Sequence, residues 1–195
     1  MGNRRQPQHD IPDAALMLRV GRGDGDAFAV LYHRHYRKLL DFFYAMSGSA
    51  STAEDLCQEC FLRVWRLRER YAPTGSVVGY LFTIGRYVWY EQRPKIYRDQ
   101  RVKSLSEAQV NGFDATDSRA LPDALASRVE IEEAILKAVA GLTEDQRMAF
   151  LLRTIQGLPL EEIARVMACP VNTVRSRKLS AMKRLREALR GLLVL

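Results

Sequence analysis

Side chains that can bind nucleic acid cluster just after Pro170. An arginine can hold O6 and N7 of guanine through two parallel hydrogen bonds, worth about 1–3 kcal/mol of discrimination between bases. Hydroxyl and lysine side chains suit phosphate oxygens, which fix the register of a protein on DNA. We expect Arg175 to reach a base edge, and Arg177 to hold a phosphate or brace the domain. The whole predicted set is Asn172, Thr173, Arg175, Ser176, Arg177 and Lys178.

The apolar pattern places this cluster on the second helix of a helix-turn-helix unit. A first helix is predicted over Leu160–Met167, residues 168–171 form a tight connector, and a second helix runs over Val171–Leu189, with Val174 packed inward. In such a unit the N-terminal end of the second helix enters the major groove. The alternative is a solvated basic face on an ordinary helical hairpin. It is disfavoured because the basic residues, the small turn and the apolar stripe coincide in register.

A second cluster combines aromatic rings with arginines, the residue types on which unstacked bases are held. A loop is predicted over Tyr71–Ser76 and a helix over residues 78–93, which Pro94 should end or kink. The alternative, that aromatic residues at helical spacing belong to the core, applies to about half of the cluster, and for Trp89, Tyr90 and Tyr97 both interpretations stay open. The candidate nucleic-acid residues here are Tyr71, Arg86, Tyr87, Trp89 and Arg93.

Cys57 and Cys60 have the spacing of zinc ligands, and His33 and His35 lie upstream. A structural zinc ion takes four ligands. However, both cysteines fall on the apolar face of a predicted helix, where a free thiol packs as a small hydrophobic group. The two histidines, two residues apart, point to different sides of a helix. We therefore expect no metal and no cofactor, and no spacing suggests a nucleophile with its base, so no enzyme activity is expected.

Composition limits the possible partners and the location. The 195 residues carry a net charge of +7, which favours a polyanionic partner. No stretch reaches the roughly 18 consecutive apolar residues of a membrane span, and the polar N-terminus lacks the apolar stretch of a secretory signal. The expected location is the cytoplasm, without membrane insertion. Three cysteines, an odd number, argue against a disulfide framework.

The chain as a whole predicts an all-α protein of two small helical domains joined by a flexible linker. Asp13 and Asp26 are candidate N-caps in the first domain, and Thr143 with Gln146 forms a capping-box pattern in the second. A helix from about Thr52 to Arg68 carries Cys57, Cys60, Phe61 and Val64 on one face and Asp55, Gln58 and Glu59 on the other. The predicted divisions are a disordered tail at 1–12, a domain at 13–102, an acidic linker at 103–127 and a domain at 128–195.

Two groups of motifs resemble the extracytoplasmic-function sigma factors of the sigma-70 family. In the C-terminal half these are GLPLEEIA at 157–164 and CPVNTVRSR at 169–177, preceded by GLTEDQR at 141–147. In the N-terminal half they are GDAF at 25–28, followed by Leu31 and Tyr32, and AEDLCQECFLRVW at 53–65. The resemblance covers about residues 13–190 and implies sigma region 2 for the first domain and sigma region 4 for the second.

The resemblance also implies roles and partners. Asp55, Gln58, Glu59 and Leu62 would dock on core RNA polymerase. The aromatic and arginine cluster would bind the −10 element of promoter DNA, and the helix-turn-helix would bind the −35 element. The linker would thread near the active-site and RNA-exit region of the polymerase. An anti-sigma factor and a stress response are implied too.

Two residues depart from the family pattern and two other classes of protein remain. Tyr87 and Glu91 stand where the family has Asn and Asp, which bears on the −10 base preference. The alternatives are a stand-alone helix-turn-helix regulator and a sigma-like mimic that sequesters a partner. The DLxQE motif at 55–59 favours a sigma factor over the regulator, and the basic groove-reading residues favour it over the mimic.

Overall fold

The structure, a computed structural model, describes residues 11–110, 131 and 134–190, with the side chains of 102–110 left out. No strand occurs in these ranges, and the all-helical prediction is confirmed. Residues 134–140 are helical as well. The helices are α1 (Asp13–Gly21), α2 (Gly25–Ser47), α3 (Ala50–Arg66), a 3₁₀ helix (Arg68–Arg70), α4 (Val77–Val110), α5 (Glu144–Thr154), α6 (Leu160–Met167) and α7 (Val171–Ala188).

Capping residues set where these helices begin. Asp24, not Asp26 as predicted, caps α2: its side chain accepts a hydrogen bond from the N–H of Ala27. Asp13 is the first residue of α1 and makes no cap, because Pro12 holds the cap position and the carboxylate turns toward α2. The capping box of Thr143 and Gln146 at the start of α5 is confirmed.

The first four helices surround a hydrophobic core, to which α2 contributes a face of apolar side chains. The buried apolar residues of α2 repeat at helical spacing and are all at most 2% exposed: Leu31, Leu39, Phe42, Phe43 and Met46. The ring of Phe42 meets that of Phe82 on α4 edge to face, with centroids 5.1 Å apart, an arrangement that aromatic quadrupoles favour. This bundle positions the outer faces of α3 and α4.

Helix α4 does not end at Pro94, which lies inside it. Proline removes one helical hydrogen bond, so neighbouring contacts must offset that loss. Ile96 is buried at 8% exposure, and the side chain of Gln100 donates a hydrogen bond to the carbonyl of Ser47 at 2.7 Å. These contacts hold the continuing helix against the end of α2. The helix reaches Val110, within the range predicted as linker; residues 111–127 and the tail at 1–10 lie outside the described residues.

Helices α5, α6 and α7 share a continuous hydrophobic cluster with the first four. Met148, Leu152, Ile163 and Val174 have no exposed surface and belong to the same cluster as the core of α1–α4. A smaller cluster joins Val139, Leu142, Ala181 and Leu185. The two halves of the chain are therefore in direct contact.

Candidate nucleic-acid interface

Helices α6 and α7 form the predicted helix-turn-helix. Ala168, in the left-handed conformation at φ 50°, ends α6, and the N–H of Cys169 donates to the carbonyl of Ala164 at 3.0 Å. Ile163 on α6 and Val174 on α7 are fully buried between the helices. The bounds predicted for α6 are those observed, and Val174 points inward as predicted.

The start of α7 presents its polar side chains unequally. Asn172, Arg175 and Ser176 are exposed, whereas Thr173, Arg177 and Lys178 are half-buried. The guanidinium of Arg175 donates to Oδ1 of Asn172 at 3.1 Å. That of Arg177 donates to the Asp145 carboxylate at 2.5 Å and to Sγ of Cys169 at 3.4 Å. Arg177 therefore braces α7 against α5, while Arg175 faces outward.

The aromatic and arginine cluster lies along α4. Tyr87 is 58% exposed, and the guanidinium of Arg86 lies over the rings of both Tyr87 and Tyr90, at 5.5 and 5.2 Å. Arg93 covers Tyr90 at 4.7 Å. Tyr71, before α4, is half-buried and packs edge to face on Tyr80. An exposed ring flanked by arginines suits base stacking.

Trp89 does not belong to this surface, and its predicted contact with DNA is wrong for this conformation. The indole has no exposed surface and belongs to the core, where Tyr97 meets it edge to face. It lies two residues beyond Tyr87 and so points to the opposite side of the helix.

Two carboxylates of α5 contact the arginine and aromatic surface, a feature that local sequence patterns did not reveal. Glu144 accepts hydrogen bonds from Arg93 and from the hydroxyl of Tyr97, both at 2.5 Å. Asp145 accepts one from the hydroxyl of Tyr90 at 3.0 Å. Burial, and next the bond to Glu144, raise the pKa of Tyr97 to about 12. The hydroxyl therefore stays protonated and remains a donor.

The predicted docking face on α3 is largely open. Asp55, Gln58 and Leu62 are exposed, whereas Glu59 is half-buried and accepts a hydrogen bond from Arg63 at 2.7 Å. Arg63 also pairs with Glu91 of α4 at 2.7 Å. The hydrogen bonds that Arg63 donates to Glu91 and Glu59 raise the pKa of its guanidinium, so it stays charged.

An apolar groove of about 480 Å³ adjoins this face. Gln58 and Leu62 form part of its wall, so the exposed apolar side chain of Leu62 continues into a concave surface. Sequence reasoning missed the aromatic walls, which a search for aromatic residues one turn apart on neighbouring helices would have found. The groove is lined by Gly25, Phe28, Tyr32, Gln58, Phe61, Leu62 and Trp65.

The cysteines of α3 lie in the core. Cys57 and Cys60 have no exposed surface, and their thiols face the carbonyls of Tyr36 and Leu81. Burial raises the pKa of Cys57 to about 12 and that of Cys60 further. His33 is exposed and His35 buried, on different sides of α2 as predicted. Across the described ranges, no group of three or more His, Cys, Asp or Glu side chains could hold a metal ion.

None of the helices in the described part of the chain has the length and apolar character needed to cross a membrane.

Comparison with known proteins matches both halves of the chain. Residues 31–98 match the family Sigma-70 region 2, and residues 132–185 match the family Sigma-70, region 4. The RNA polymerase sigma-H factor of Pseudomonas aeruginosa is 32% identical over 187 residues, 93% of this chain and 95% of that protein. The ECF RNA polymerase sigma-E factor of Escherichia coli K12 is 30% identical over 174 residues, 86% of this chain and 88% of that protein.

Solved structures share the fold. CnrH in complex with the cytosolic domain of CnrY has a TM-score of 0.69 and 21% identity, over 92% of this chain and 97% of that one. The sigma factor RpoE of Bartonella quintana, in complex with the anti-sigma factor NepR, has a TM-score of 0.62 and 24% identity, over 84% and 96%.

A helix-turn-helix with an outward arginine, joined to a helical bundle that matches sigma region 2, defines a promoter-directed transcription factor. The chain belongs to the sigma-70 family of RNA polymerase sigma factors, in the extracytoplasmic-function group. It acts as a transcription initiation factor that directs polymerase to promoters.

Proposed function

We propose that α3 docks on core RNA polymerase through Asp55, Gln58, Glu59 and Leu62. The observation that carries this assignment is that Asp55, Gln58 and Leu62 are exposed on one side of α3 while its opposite side fills the core. Leu62 and Gln58 also border the apolar groove, which offers a partner helix a place for an apolar side chain. Charged residues beside an apolar groove are typical of a specific docking surface.

The test compares two adjacent acids of α3. Asp55→Arg should weaken capture of core polymerase and abolish run-off transcription. The variant puts a positive charge in the interface, where it either repels the group that paired with the carboxylate or stays unpaired. Glu54→Arg is the matched control, since neighbouring residues on an α-helix point about 100° apart. Equal capture by both variants, with helical content unchanged, would contradict the docking assignment.

For the promoter, we propose that α7 reads the −35 element and that α4 with the loop before it binds the −10 element. Arg175 supplies the base contact at −35, with Asn172, Thr173, Ser176 and Lys178 on phosphates, while Arg177 holds α7 in place. At −10, the exposed ring of Tyr87 and the guanidinium groups of Arg86 and Arg93 form the stacking surface, and Tyr71 borders it. Trp89 is left out because it is buried.

The remaining parts of the proposal concern partners and context. We propose an anti-sigma factor as a regulatory partner, supported by the likeness in fold to a sigma factor solved with the anti-sigma factor NepR. The chain would act without catalysis of its own and without a cofactor, in the cytoplasm where polymerase and chromosome meet, in a response to stress. Co-purification with core polymerase followed by run-off transcription separates this role from that of a stand-alone regulator or a mimic.

A further inference from the structure

A cavity of about 260 Å³ lies between α6 and the loop that precedes α4. One wall belongs to α6 and carries Glu162 and Arg165. The other wall belongs to the loop and the first turns of α4 and carries Tyr71, Tyr80 and Thr83. Pockets for small molecules measure roughly 300–1,000 Å³, so a cavity just below that range suits a compound of the size of an amino acid.

The carboxylate of Glu162 is a buried charge on the first wall. The residue is 7% exposed, and its Oε1 accepts a hydrogen bond from the N–H of Ser76 at 2.9 Å. This oxygen packs against α4 at Gly79, where a Cβ would clash with it. The first turn of α6 offsets part of the cost of burying the charge, because a helix start favours an acid.

A positively charged partner for this carboxylate is not supplied by the described part of the chain. No ion pair between described residues includes Glu162, and Oε2 accepts no hydrogen bond from them. Buried charges in proteins are paired or bind a ligand of opposite charge. The cavity beside Glu162 therefore favours a cationic group.

Arg165 lies one turn later on the same wall and is exposed. Its Nη1 donates to the carbonyl of Thr74 at 2.6 Å, which fixes the guanidinium beside the loop. Nε and Nη2 make no hydrogen bond to a described residue. A fixed guanidinium with such donors favours a carboxylate, with which it forms charge-assisted hydrogen bonds. The wall thus offers sites for one positive and one negative group, a helical turn apart.

The facing wall carries groups that favour a polar, cationic ligand. The rings of Tyr71 and Tyr80 meet edge to face with centroids 5.0 Å apart, and aromatic faces attract cations. The hydroxyl of Tyr71 is buried and has no hydrogen-bond partner among the described residues. Buried polar groups normally have a partner, so this hydroxyl is an independent indication of a polar ligand.

We propose that the cavity binds a small zwitterion of the amino-acid class, with its ammonium group on Glu162 and its carboxylate on Arg165. This site is separate from the proposed contacts with polymerase and promoter, and it does not depend on them. Because both halves of the chain supply walls, the ligand stabilises the contact between them, and the chain responds to the concentration of a metabolite.

The test measures the melting temperature of the full chain with each of the twenty standard L-amino acids at about 10 mM, which stabilises a chain whose Kd is millimolar. Ethylammonium chloride and sodium acetate, with one charged group each, are the ligand controls. Glu162→Gln keeps an acceptor for the Ser76 N–H and removes the charge, and Arg165→Gln removes the other charge. Glu161→Gln, an exposed acid beside Glu162, is the matched control variant.

We expect at least one amino acid to raise the melting temperature of the parent and of Glu161→Gln by about 2–4 °C. Glu162→Gln, Arg165→Gln and the two single-charge compounds should show no shift. Titration calorimetry with that amino acid should give one site per chain, and binding at least about tenfold weaker in both site variants. No shift with any amino acid, a shift retained in Glu162→Gln, or an equal shift with ethylammonium overturns the inference.

The variants without ligand give a second measurement. Glu162→Gln should melt no lower than the parent, because the amide keeps the hydrogen bond to Ser76 and removes an unpaired buried charge. Circular dichroism checks that its helical content is unchanged. A lower melting temperature for this variant would show that the chain itself already compensates the carboxylate, which overturns the argument for a cationic ligand.

Discussion

Arg175 and Arg177 lie two residues apart on α7 and have different surroundings. Arg175 is exposed and donates a hydrogen bond of 3.1 Å to Asn172. Arg177 is engaged by Asp145 at 2.5 Å and by Cys169. Two residues along a helix correspond to a turn of about 200°, so one side chain can face a groove while the other faces the domain.

Arg175→Ala should relax preference at one base pair of the −35 element and cost about 1–3 kcal/mol of binding, the value of one bidentate base contact. Arg177→Ala should lower stability by about 1 kcal/mol, as expected for a partly exposed ion pair, and weaken all duplexes alike. Binding of parent and single-base-changed duplexes across a salt series measures the first effect, and thermal melting the second. Arg186→Ala, at the exposed far end of α7, is the control. A uniform loss for Arg175→Ala would contradict its base-reading role.

The cysteines provide a second prediction at the scale of residues. Cys57 and Cys60 are buried with raised pKa values, while Cys169 is partly exposed. Because the thiolate is the reactive form, a disulfide reagent such as Ellman's should react quickly with Cys169 alone in the native chain, and with all three cysteines in guanidinium. Cys169→Ser should remove the fast phase. Fast reaction of Cys57 or Cys60 would contradict this prediction, because it would show that the core around α3 opens readily. In a separate test, replacing Cys57 and Cys60 by Val should preserve both folding and transcription.

Helix α1 is fixed to α2 by a charged cluster rather than by a cap. Asp13 accepts a hydrogen bond from Arg34 at 2.6 Å and contacts Nε2 of His35 at 2.7 Å. Burial lowers the pKa of His35 and outweighs the nearby carboxylate, while Lys38 and Arg34 lower it further. Burial alone would raise the pKa of Asp13, but the bond from Arg34 and the interaction with His35 bring it below its usual value.

These shifts predict a loss of stability on acidification. Below about pH 6.5 the unfolded chain takes up a proton at His35 that the folded chain binds less well, so the free energy of unfolding falls as pH falls. Asp13 adds to the same trend only below about pH 4. His35→Gln, which keeps a donor toward Asp13, should flatten the dependence between pH 7.5 and 5.5, measured by urea unfolding. His33→Gln, an exposed histidine of the same helix, should leave it unchanged; the reverse ranking would refute this account.

The spacing of apolar residues predicted which segments are helical. Single capping or helix-breaking residues were poorer predictors of where each helix begins and ends. The stripe of Leu160–Met167 gave the observed bounds of α6, and the Thr143 capping box was present as expected. At the start of α2, Asp24 and Asp26 offer the same chemistry, and only the backbone conformation of Asp24 decides between them. At Pro94 the local rule for a helix stop was outweighed by tertiary contacts of the residues that follow.

Residue roles could be predicted only where local sequence decides them. The outward Arg175 and inward Val174 follow from helical phase. The burial of Trp89 depends on how α4 packs, and the pairing of Glu162 with Ser76 joins residues 86 positions apart. No local pattern encodes such a contact, because it is selected by the fit of two distant surfaces.

At the scale of the molecule, one arginine couples the two halves. Arg147 on α5 donates to the carbonyl of Met46 at the end of α2 at 2.7 Å. The same guanidinium donates to the carbonyls of Val139 at 3.0 Å and Leu142 at 3.2 Å. The side chain of Arg147 therefore links the segment before α5 to the bundle of α1–α4. It lies beside the hydrophobic cluster that both halves share.

Arg147→Ala should destabilise the chain by about 1.5–3 kcal/mol or more, because hydrogen bonds from a charged donor are worth that much and the carbonyls it leaves are partly buried. It should also broaden or split the thermal transition, since the contact to Met46 links helices on either side of the linker region. Differential scanning calorimetry of the full chain measures both effects. Arg153→Ala is the matched control, because Arg153 lies on the same helix but donates only to the nearby carbonyls of Gly157 and Leu158. It should lower the melting temperature without splitting the transition. If the two variants melt alike, Arg147 does not couple the two halves, which are then held together by the shared apolar cluster and by the other hydrogen bonds between them, such as that of Glu162 with Ser76.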